Sequence, residues 1–461
     1  MTVATRHAGD EVATSDALRY TALLARPTSG PPRPDGSAVG GALLRTGVAD
    51  GGLGATRRPR GGRTGHGRRS TNGEPLRVLH VITRMIVGGA QENTILSCAL
   101  VDRARFRSEI LTGPQTGPEG SLHGEARMRG VTLHVEPALV REMHPLKDML
   151  ALVRLVRFLR RGRYDVVHTH SSKAGILGRL AARLAGVPVV VHTVHGWAFT
   201  PERPWAVFRF YVWLERLCAR WCGTLIVVAK SDREEGLALG IGRQEQYMLI
   251  RSGIEIEAYR DVTVTAAEAR QAISVPLNAF VVGSVGRLSP QKAPLDLVAA
   301  FADLAQERAD AHLVMVGDGP LLGEVEAAVA RAGLGHRVHL LGLRRDVPVL
   351  LRAFDVLALS SRWEGLPRVF PQAMAAGLPV VAVRVDGAVD AIVQGESGWL
   401  VDVGDRAGLA ARLLELALDP ERARRMGDAG RARVEEFSAA RMVRQLEGLY
   451  ERLAREAGIP T

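Results

Sequence analysis

The feature that most constrains the fold is the stretch 356–383, in which two short apolar runs flank a loop and a helical segment. Such continuous apolar runs are typical of buried strands, and about two helical turns fit between Arg368 and Gly377, which is suited to a left-handed cap. Because a helix begins directly after the loop, the free N–H groups of its first turn can bind a phosphate. Glu364 would then contact the group that is attached to this phosphate. A βαβ unit with a solvated Glu364 explains the same pattern.

The residues around this loop resemble a known family. Glu364, Gly365 and Leu366 open a Glu-Gly-Leu-Pro segment, followed by an Ala-Met-Ala-Ala-Gly-Leu-Pro-Val-Val-Ala run. This resembles the signature of the family 4 glycosyltransferases, which are retaining enzymes of the GT-B fold with nucleotide-sugar donors. The resemblance implies that all three residues bind the donor and that Glu364 orients its sugar. Where the family has a second Glu for the ribose hydroxyls this chain has Gln372, which keeps hydrogen-bonding capacity but loses the charge.

Two cations follow the predicted strand 280–286. Arg287 and Lys292 lie at a strand-to-helix junction, where each can stabilise a diphosphate by about 1.5 to 3 kcal/mol through charge-assisted hydrogen bonds. Their Gly-Arg-Leu-x-x-x-Lys spacing matches the family in full, which implies that both stabilise the departing diphosphate. By the same resemblance, Arg344 lies in the loop against the nucleobase. The chain has no Asp-x-Asp motif, which agrees with metal-independent chemistry, and no cofactor besides the sugar-nucleotide substrate is expected.

A glycine pair opens the first helix of the predicted globular part. Gly88 and Gly89 follow the strand 76–82 and permit close approach of a ligand, although a plain tight turn has the same composition. The pair resembles the family loop Gly-Gly-Ala-Glu, with Gln91 in place of the acid. The resemblance implies that Gly89 lies at the donor and that Gly88 and Gln91 lie on the acceptor side.

Four histidines lie at the ends of two predicted strands: His168, His170, His192 and His195. They could bind zinc, but no carboxylate or thiolate accompanies them, and we predict no metal site. His195 matches the family histidine that contacts the donor sugar, while a hydrogen-bonded buried imidazole is the alternative. Lys173, at the start of the helix between the two strands, is assigned to the acceptor side.

Length and composition favour two domains. The chain has 461 residues, of which 46% are hydrophobic and 24% charged, which is globular composition. We expect an α/β protein with two Rossmann-like domains whose parallel sheets face a central cleft. The predicted parts are a disordered tail at 1–75, an acceptor-side domain at 76–250, a linker at 251–277, a donor-binding domain at 278–438 and a helix at 439–461 that crosses back to the first domain.

The segment 1–75 differs from the rest of the chain. It has eleven arginines, no lysine and six acidic residues, and so carries almost half of the formal charge of +11. We expect it to be disordered. A basic tail can bind nucleic acid or membrane, but no aromatic residues are interleaved with the arginines, so a dispensable leader explains it better and no nucleic-acid partner is expected.

The number of cysteines and the length of the apolar runs indicate the cellular compartment of the protein. Cys98, Cys218 and Cys222 are too few for a disulfide framework, which fits a reducing cytoplasm. No apolar run approaches the roughly 18 to 20 residues that span a bilayer, and the first 30 residues lack the apolar segment of a signal peptide. We therefore expect a cytoplasmic protein, either soluble or peripheral at the inner face of the cell membrane.

An aromatic cluster suggests where membrane contact would occur. Residues 197–221 contain 8 of the 22 aromatic side chains, with arginines among them, and a basic amphipathic helix is predicted at 145–160. A core-packed helix accounts for most of the cluster. An exposed part would suit an anionic membrane and a lipid-linked acceptor sugar.

Other enzyme classes fit the motifs less well. Residues 317–319 imitate a dinucleotide fingerprint, but its third glycine is one residue late and the next strand ends in Gly342 instead of an acid. Ser289 and Lys292 form Ser-x-x-Lys without the other motifs of acyl-transfer enzymes. We predict transfer of a sugar from a nucleoside diphosphate to an acceptor hydroxyl with retention, in polysaccharide or glycolipid assembly. A GT-B nucleotide-sugar epimerase and a non-catalytic nucleotide-sugar-binding protein remain alternatives.

Overall fold

The computed structural model describes residues 73–115, 120–197, 199 and 204–461. The segment 1–75, for which disorder is expected, lies outside these residues apart from its last three.

The first half of the chain forms a seven-stranded parallel sheet in the order β3-β2-β1-β4-β5-β6-β7. Its strands are β1 (Leu76–Ile82), β2 (Phe106–Thr112), β3 (Thr132–Val135), β4 (Val166–His170), β5 (Val189–Val194), β6 (Thr224–Val227) and β7 (Tyr247–Leu249). The helices between them are α1 (Gly89–Ala99), α2 (His123–Met128), α3 (Pro145–Gly162), α4 (Ser172–Ala185), α5 (Trp205–Ala219) and α6 (Lys230–Ala238), with a 3-10 turn at Gln244–Gln246.

The second half forms a six-stranded parallel sheet in the order β10-β9-β8-β11-β12-β13. Its strands are β8 (Phe280–Val285), β9 (Ala311–Val316), β10 (Val338–Leu340), β11 (Val356–Leu359), β12 (Val380–Val383) and β13 (Gly398–Val401). The helices are α7 (Glu257–Arg260), α8 (Ala266–Ala272), α9 (Pro294–Glu307), α10 (Leu322–Arg331), α11 (Val347–Leu351), α12 (Val369–Ala376), α13 (Ala388–Ala391), α14 (Arg406–Leu418), α15 (Pro420–Arg433) and α16 (Ala439–Glu456), with 3-10 turns at Pro290–Lys292 and Val434–Phe437.

Both sheets have doubly wound topology, which confirms the prediction of two Rossmann-like domains. Helices cover both faces of each sheet. The inner strands are therefore buried on both sides, and their sequences are continuous apolar runs. The strand order reverses between β1 and β4 in the first sheet and between β8 and β11 in the second. Ligands bind at such reversal points, beyond the carboxyl ends of the strands. The loops after these four strands are therefore where a site is expected.

The last helix packs against the first sheet, although it follows the second in sequence. Met442, Leu446 and Tyr450 of α16 share a buried core with Val78 of β1 and Val191 of β5. Burial of several large apolar side chains at about 1.5 to 3 kcal/mol each holds α16 in this place. Among the helices that the structure describes, none combines the length and apolar composition needed to cross a membrane.

Candidate active site

The loops after β8 and β11 bring the predicted cation and carboxylate into contact. Lys292 lies at the end of the 3-10 turn that follows β8, and its side chain extends over Gly286. The Lys292 Nζ donates a hydrogen bond to Oε1 of Glu364, whose side chain is buried. The two residues assigned to the diphosphate and to the sugar therefore form one ion pair at the strand ends.

The Glu364 loop is held by Asp386, which belongs to none of the sequence motifs. The backbone N–H of Glu364 donates to Oδ2 of Asp386 (2.8 Å), and the N–H of Gly387 donates to the carbonyl of Gly365 (2.9 Å). Burial raises the pKa of Asp386, and the neighbouring Glu364 charge raises it further. Asp386 has φ +26°, which side-chain-bearing residues rarely adopt. Its place in the loop that follows β12 was the only signal in the sequence.

His195 reaches this loop from the first domain. It follows β5, and a Cβ added to Gly365 would lie 2.6 Å from the His195 carbonyl oxygen. Gly196 (φ +98°) is as close, since its Cβ would lie 3.1 Å from the Gly365 nitrogen. Two glycines thus allow the backbones of the two domains to touch, which places His195 beside Glu364.

The strand-end histidines form hydrogen bonds with other side chains. Both His168 nitrogens are engaged, one with the Tyr450 hydroxyl (2.6 Å) and one with the Thr193 hydroxyl (2.7 Å). In the described part of the chain, His80, His168 and His170 alone have ligand atoms close enough for a shared metal, within 4.8 Å of one another. Because both His168 nitrogens are already bonded, the geometry favours satisfied imidazoles over metal ligands.

The glycine loop of the first domain contacts an arginine from the second. A Cβ on Gly89 would lie 3.3 Å from Cδ of Arg368, whose Nε and Nη2 donate to the Gly253 carbonyl (3.3 and 3.1 Å). The Arg368 guanidinium also pairs with Glu92 of α1. Arg368, buried at the start of α12, therefore links the Glu364 loop to the loop predicted to approach the donor. In the sequence, Arg368 indicated only where a helix begins.

The residues predicted for the acceptor side follow two adjacent strands of the first sheet, β1 and β4. Gln91 folds back over its own loop, so that its Oε1 would lie 2.8 Å from a Cβ on Gly88. Lys173, in the first turn of α4, pairs with Oδ1 of Asp148 (2.5 Å) and donates to the Glu142 carbonyl. Lys173 thereby connects the end of β4 to the start of α3.

Three loops converge beyond the ends of β8, β9 and β10. The N–H of Gly317 donates to the Gly342 carbonyl (2.8 Å), and the N–H of Leu288 donates to the Asp318 carbonyl (3.0 Å). Any side chain at position 317 would clash with the carbonyl oxygen of Gly286. The loop that carries the exposed Arg287 is thus packed against the loop that imitates a dinucleotide fingerprint.

The remaining donor-binding candidates lie in the second domain. Arg344 forms an ion pair with Asp346 (2.5 Å) in the loop after β10, and the hydrogen bonds that its guanidinium donates to the Asp346 carboxylate raise the pKa of the guanidinium. Leu366 and Gln372 are each 8% exposed. The Gln372 amide makes no hydrogen bond to any described residue, so its donor and acceptor capacity is open to a ligand.

Two family models match the chain. The model described as "Glycosyl transferases group 1" matches residues 266–433, and the "Glycosyl transferase 4-like domain" matches residues 88–253. The matched ranges fall on the second and the first Rossmann-like domain, respectively.

Similar proteins include curated enzymes and solved structures. The UDP-Gal:alpha-D-GlcNAc-diphosphoundecaprenol alpha-1,3-galactosyltransferase of Escherichia coli is 33% identical over 334 residues, which is 72% of this chain and 85% of that enzyme. The putative glycosyltransferase EpsD of Bacillus subtilis is 30% identical over 62% of this chain and 76% of its own. The crystal structure of Anabaena HepE in complex with UDP and glucose is 25% identical, with a TM-score of 0.71 over 82% of this chain and 100% of that chain.

Proposed function

Because this chain belongs to the group 1 glycosyltransferases, we propose that it transfers a sugar from a nucleoside diphosphate to an acceptor hydroxyl with retention of configuration and without a metal ion. It has the predicted GT-B fold and uses a nucleotide sugar. The observation that carries the proposal is the Lys292–Glu364 ion pair, which lies where the strand order of the second sheet reverses, in a loop whose Gly365 packs against the backbone of His195.

The site contains the charges that a departing diphosphate requires. Lys292 has three N–H donors, so it can keep Glu364 in place and still donate to a phosphate oxygen. Together with Arg287 it stabilises the charge that develops as the bond from the anomeric carbon to the phosphate oxygen breaks. Glu364 orients the sugar, and the acceptor hydroxyl oxygen attacks the face from which the diphosphate leaves. The proton of the acceptor hydroxyl passes to the departing phosphate oxygen. The sugar therefore never has to form a covalent bond with a side chain.

The donor is proposed to be a uridine diphosphate sugar. HepE binds UDP and glucose, and the Escherichia coli relative uses UDP-Gal. The Gln372 amide, which makes no hydrogen bond to any described residue, would contact the ribose hydroxyls, and the loop with Arg344 would lie against the base.

A panel of nucleotide sugars tests the donor and the stereochemistry. A donor present at 100 times its dissociation constant should stabilise the protein by about 2.7 kcal/mol, measured as a rise in Tm. The best donor should then yield a product whose anomeric coupling in NMR spectra equals that of the donor, at a rate unchanged by EDTA. Product without any acceptor would indicate an epimerase, and donor binding without turnover or donor hydrolysis would indicate a binding protein.

The acceptor is proposed to be a lipid-linked sugar diphosphate, with the protein peripheral at the inner face of the membrane. The Escherichia coli relative acts on a diphosphoundecaprenol acceptor. In this chain, Lys173 is a cation on the acceptor side and is tied to the start of α3. A diphosphate bound near Lys173 would therefore lie next to the helix that carries the basic face.

The exposed face of α3 is unusual for a helix of a soluble protein. Ala151, Leu155 and Leu159 face the core. Apart from Lys147, the outer face is apolar in its first half and basic in its second: Leu146 (79% exposed), Met149 (62%), Leu150 (44%) and Val153 (37%), then Arg154, Arg157, Arg160 and Arg161. Apolar groups entering the interface, with arginines at the lipid phosphates, account for this division.

Part of the aromatic cluster extends the same surface. Phe199 and Val212 are buried in the first domain, as a core-packed helix requires, but Trp205, Phe210 and Trp213 of α5 are 60%, 47% and 56% exposed. The Tyr211 hydroxyl contacts Sδ of Met143, just before α3, at 3.8 Å. This contact places Tyr211 of α5 beside the segment that leads into α3.

Vesicle binding of the full chain tests the membrane contact. Each arginine near an anionic surface contributes about 1 kcal/mol, so we expect co-sedimentation with anionic vesicles at low salt and release at high salt. Combining Leu146→Ser with Trp213→Ser should weaken binding about tenfold or more, whereas Leu418→Ser, at an equally exposed position of the second domain (66%), should not. Absence of binding to anionic vesicles at low salt would favour a soluble acceptor.

A further inference from the structure

Three histidines from neighbouring strands form a continuous row that ends at the active site. His80 lies within β1, His170 ends β4 and His195 follows β5, and these strands are adjacent in the sheet. Nδ1 of His80 lies 3.0 Å from Nε2 of His170, and Nδ1 of His170 lies 3.1 Å from Nε2 of His195. The rings are nearly parallel, with centroids 5.2 and 5.4 Å apart. Each contact is thus one imidazole-to-imidazole hydrogen bond.

All three rings are neutral near pH 7. Burial lowers the pKa of His80 to about 3. Burial, together with the charge of Arg368, lowers the pKa of His195 to about 4, and burial with the neighbouring histidines lowers that of His170 well below its usual value. A neutral imidazole has one donor and one acceptor nitrogen. The two hydrogen bonds must therefore point in the same direction along the row, either towards the cleft or away from it.

The buried end of the row decides between the two directions. His80 Nε2 is buried and has no hydrogen-bond partner among the described residues. The adjacent His168 cannot supply one, because both of its nitrogens are engaged. If the bonds pointed inward, His80 Nε2 would carry an unpaired buried N–H, which folded proteins rarely tolerate. If the bonds point outward, His80 carries its proton at Nδ1, and only the lone pair of Nε2 is left without a partner.

We propose that His170 and His80 are positioning residues that hold His195 in the tautomer protonated at Nδ1, so that it donates a hydrogen bond into the cleft. In this arrangement His195 Nε2 accepts from His170 Nδ1–H, and His195 Nδ1 has no partner within the described part of the chain. A partner nitrogen fixes the tautomer of a histidine in this way.

One consequence, which rests on the proposed function, concerns the transferred sugar. His195 would recognise a hydroxyl oxygen of that sugar as a hydrogen-bond acceptor. It could not take the proton of the acceptor hydroxyl, because Nδ1 already carries a proton and Nε2 faces His170. His195 is therefore a binding group for the donor and not a base.

Two substitutions of His170 separate hydrogen bonding from packing. An asparagine amide nitrogen occupies about the position of imidazole Nδ1, so His170→Asn can still donate to His195. A glutamine amide reaches the position of Nε2 instead, so His170→Gln loses that donor. We expect kcat to fall about tenfold or more in His170→Gln, since a tenfold change in rate corresponds to about 1.36 kcal/mol, close to the net value of one hydrogen bond. We expect a smaller loss in His170→Asn, which keeps the donor to His195 but gives up the bond from His80. As a matched control, His339→Gln interrupts a similar contact (His312 Nδ1 to His339 Nε2, 3.0 Å) in the second domain and should leave kcat unchanged.

The tautomers are read directly in ¹⁵N NMR spectra of the full-length protein with labelled histidine rings, assigned with His195→Ala. In the ligand-free wild type, His195 should be protonated at Nδ1, and in His170→Gln it should shift to the Nε2–H form. Because this measurement needs no turnover, it tests the row even if no nucleotide sugar proves to be a substrate. In the His195→Ala background, His170→Gln should lower kcat no further, because His170 acts on the sugar only through its hydrogen bond to His195.

Several results would overturn the proposal. His195 protonated at Nε2 in the wild type would reverse the direction of the row. An unchanged His195 spectrum and kcat in His170→Gln, or a full additional loss in the His195→Ala background, would reduce His170 to a packing role. Stoichiometric metal in the purified protein, lost in His80→Ala, would replace the hydrogen-bonded row by a metal site.

Discussion

Lys292→Ala and Arg287→Ala are each expected to lower kcat by roughly 100-fold or more with a nucleotide-sugar donor. Each substitution removes a positive charge from the leaving diphosphate at the loop that follows β8, and Lys292 also loses its contact with the buried Glu364 carboxylate. The steady-state rate at saturating donor measures this effect. Arg331→Ala, which removes an exposed arginine in the last turn of α10, is the matched control and should retain full activity.

The ion pair makes a further distinction between the two cations. Lys292→Ala leaves the buried Glu364 carboxylate without its cation, so its loss of kcat should include some misorientation of the sugar. Double substitution of Lys292 and Glu364 should therefore cost less than the sum of the single effects, since the two side chains are in contact. If Lys292→Ala and Arg287→Ala both kept full activity, the assignment of the diphosphate to these residues would be wrong.

Glu364→Gln should chiefly reduce turnover, by about 100-fold, while leaving donor binding nearly intact. The amide keeps the shape of the side chain but weakens the hydrogen bond from Lys292 and the contact with the sugar. Calorimetric Kd values for the donor, compared with kcat, separate the two effects.

The matched change at the other motif position is Gln372→Glu. It should preserve or tighten donor binding, because a carboxylate accepts stronger hydrogen bonds from ribose hydroxyls than an amide does. The Gln372 amide has no competing partner among the described side chains, so the ribose would gain the full benefit. Equal Kd and equal kcat in wild type and both variants would refute the separate roles of Glu364 and Gln372.

The three-dimensional structure added residues that local sequence could not indicate. Asp386 and Arg368 act through contacts with a loop 22 residues away and with the Gly253 carbonyl 115 residues away. His80 looked like an ordinary strand residue, because its partner His170 lies 90 residues further on. The aromatic cluster divided into buried and exposed parts because packing against the first domain covers only one side of α5.

The sequence by itself determined the two Rossmann-like domains and most loops of the site. A strand buried on both faces has a continuous apolar run, and this pattern is visible in the local sequence. A glycine-rich turn between a strand and a helix is equally local, and it indicates a loop that can bind phosphate. The family motifs added which side chains in those loops are chemical candidates. Only the tertiary structure decided that Lys292 meets Glu364, that Gly196 meets Gly365 and that three histidines form one row. The physical reason is that these contacts depend on which strands are neighbours and on how the two sheets face each other, and hydrophobic periodicity encodes neither.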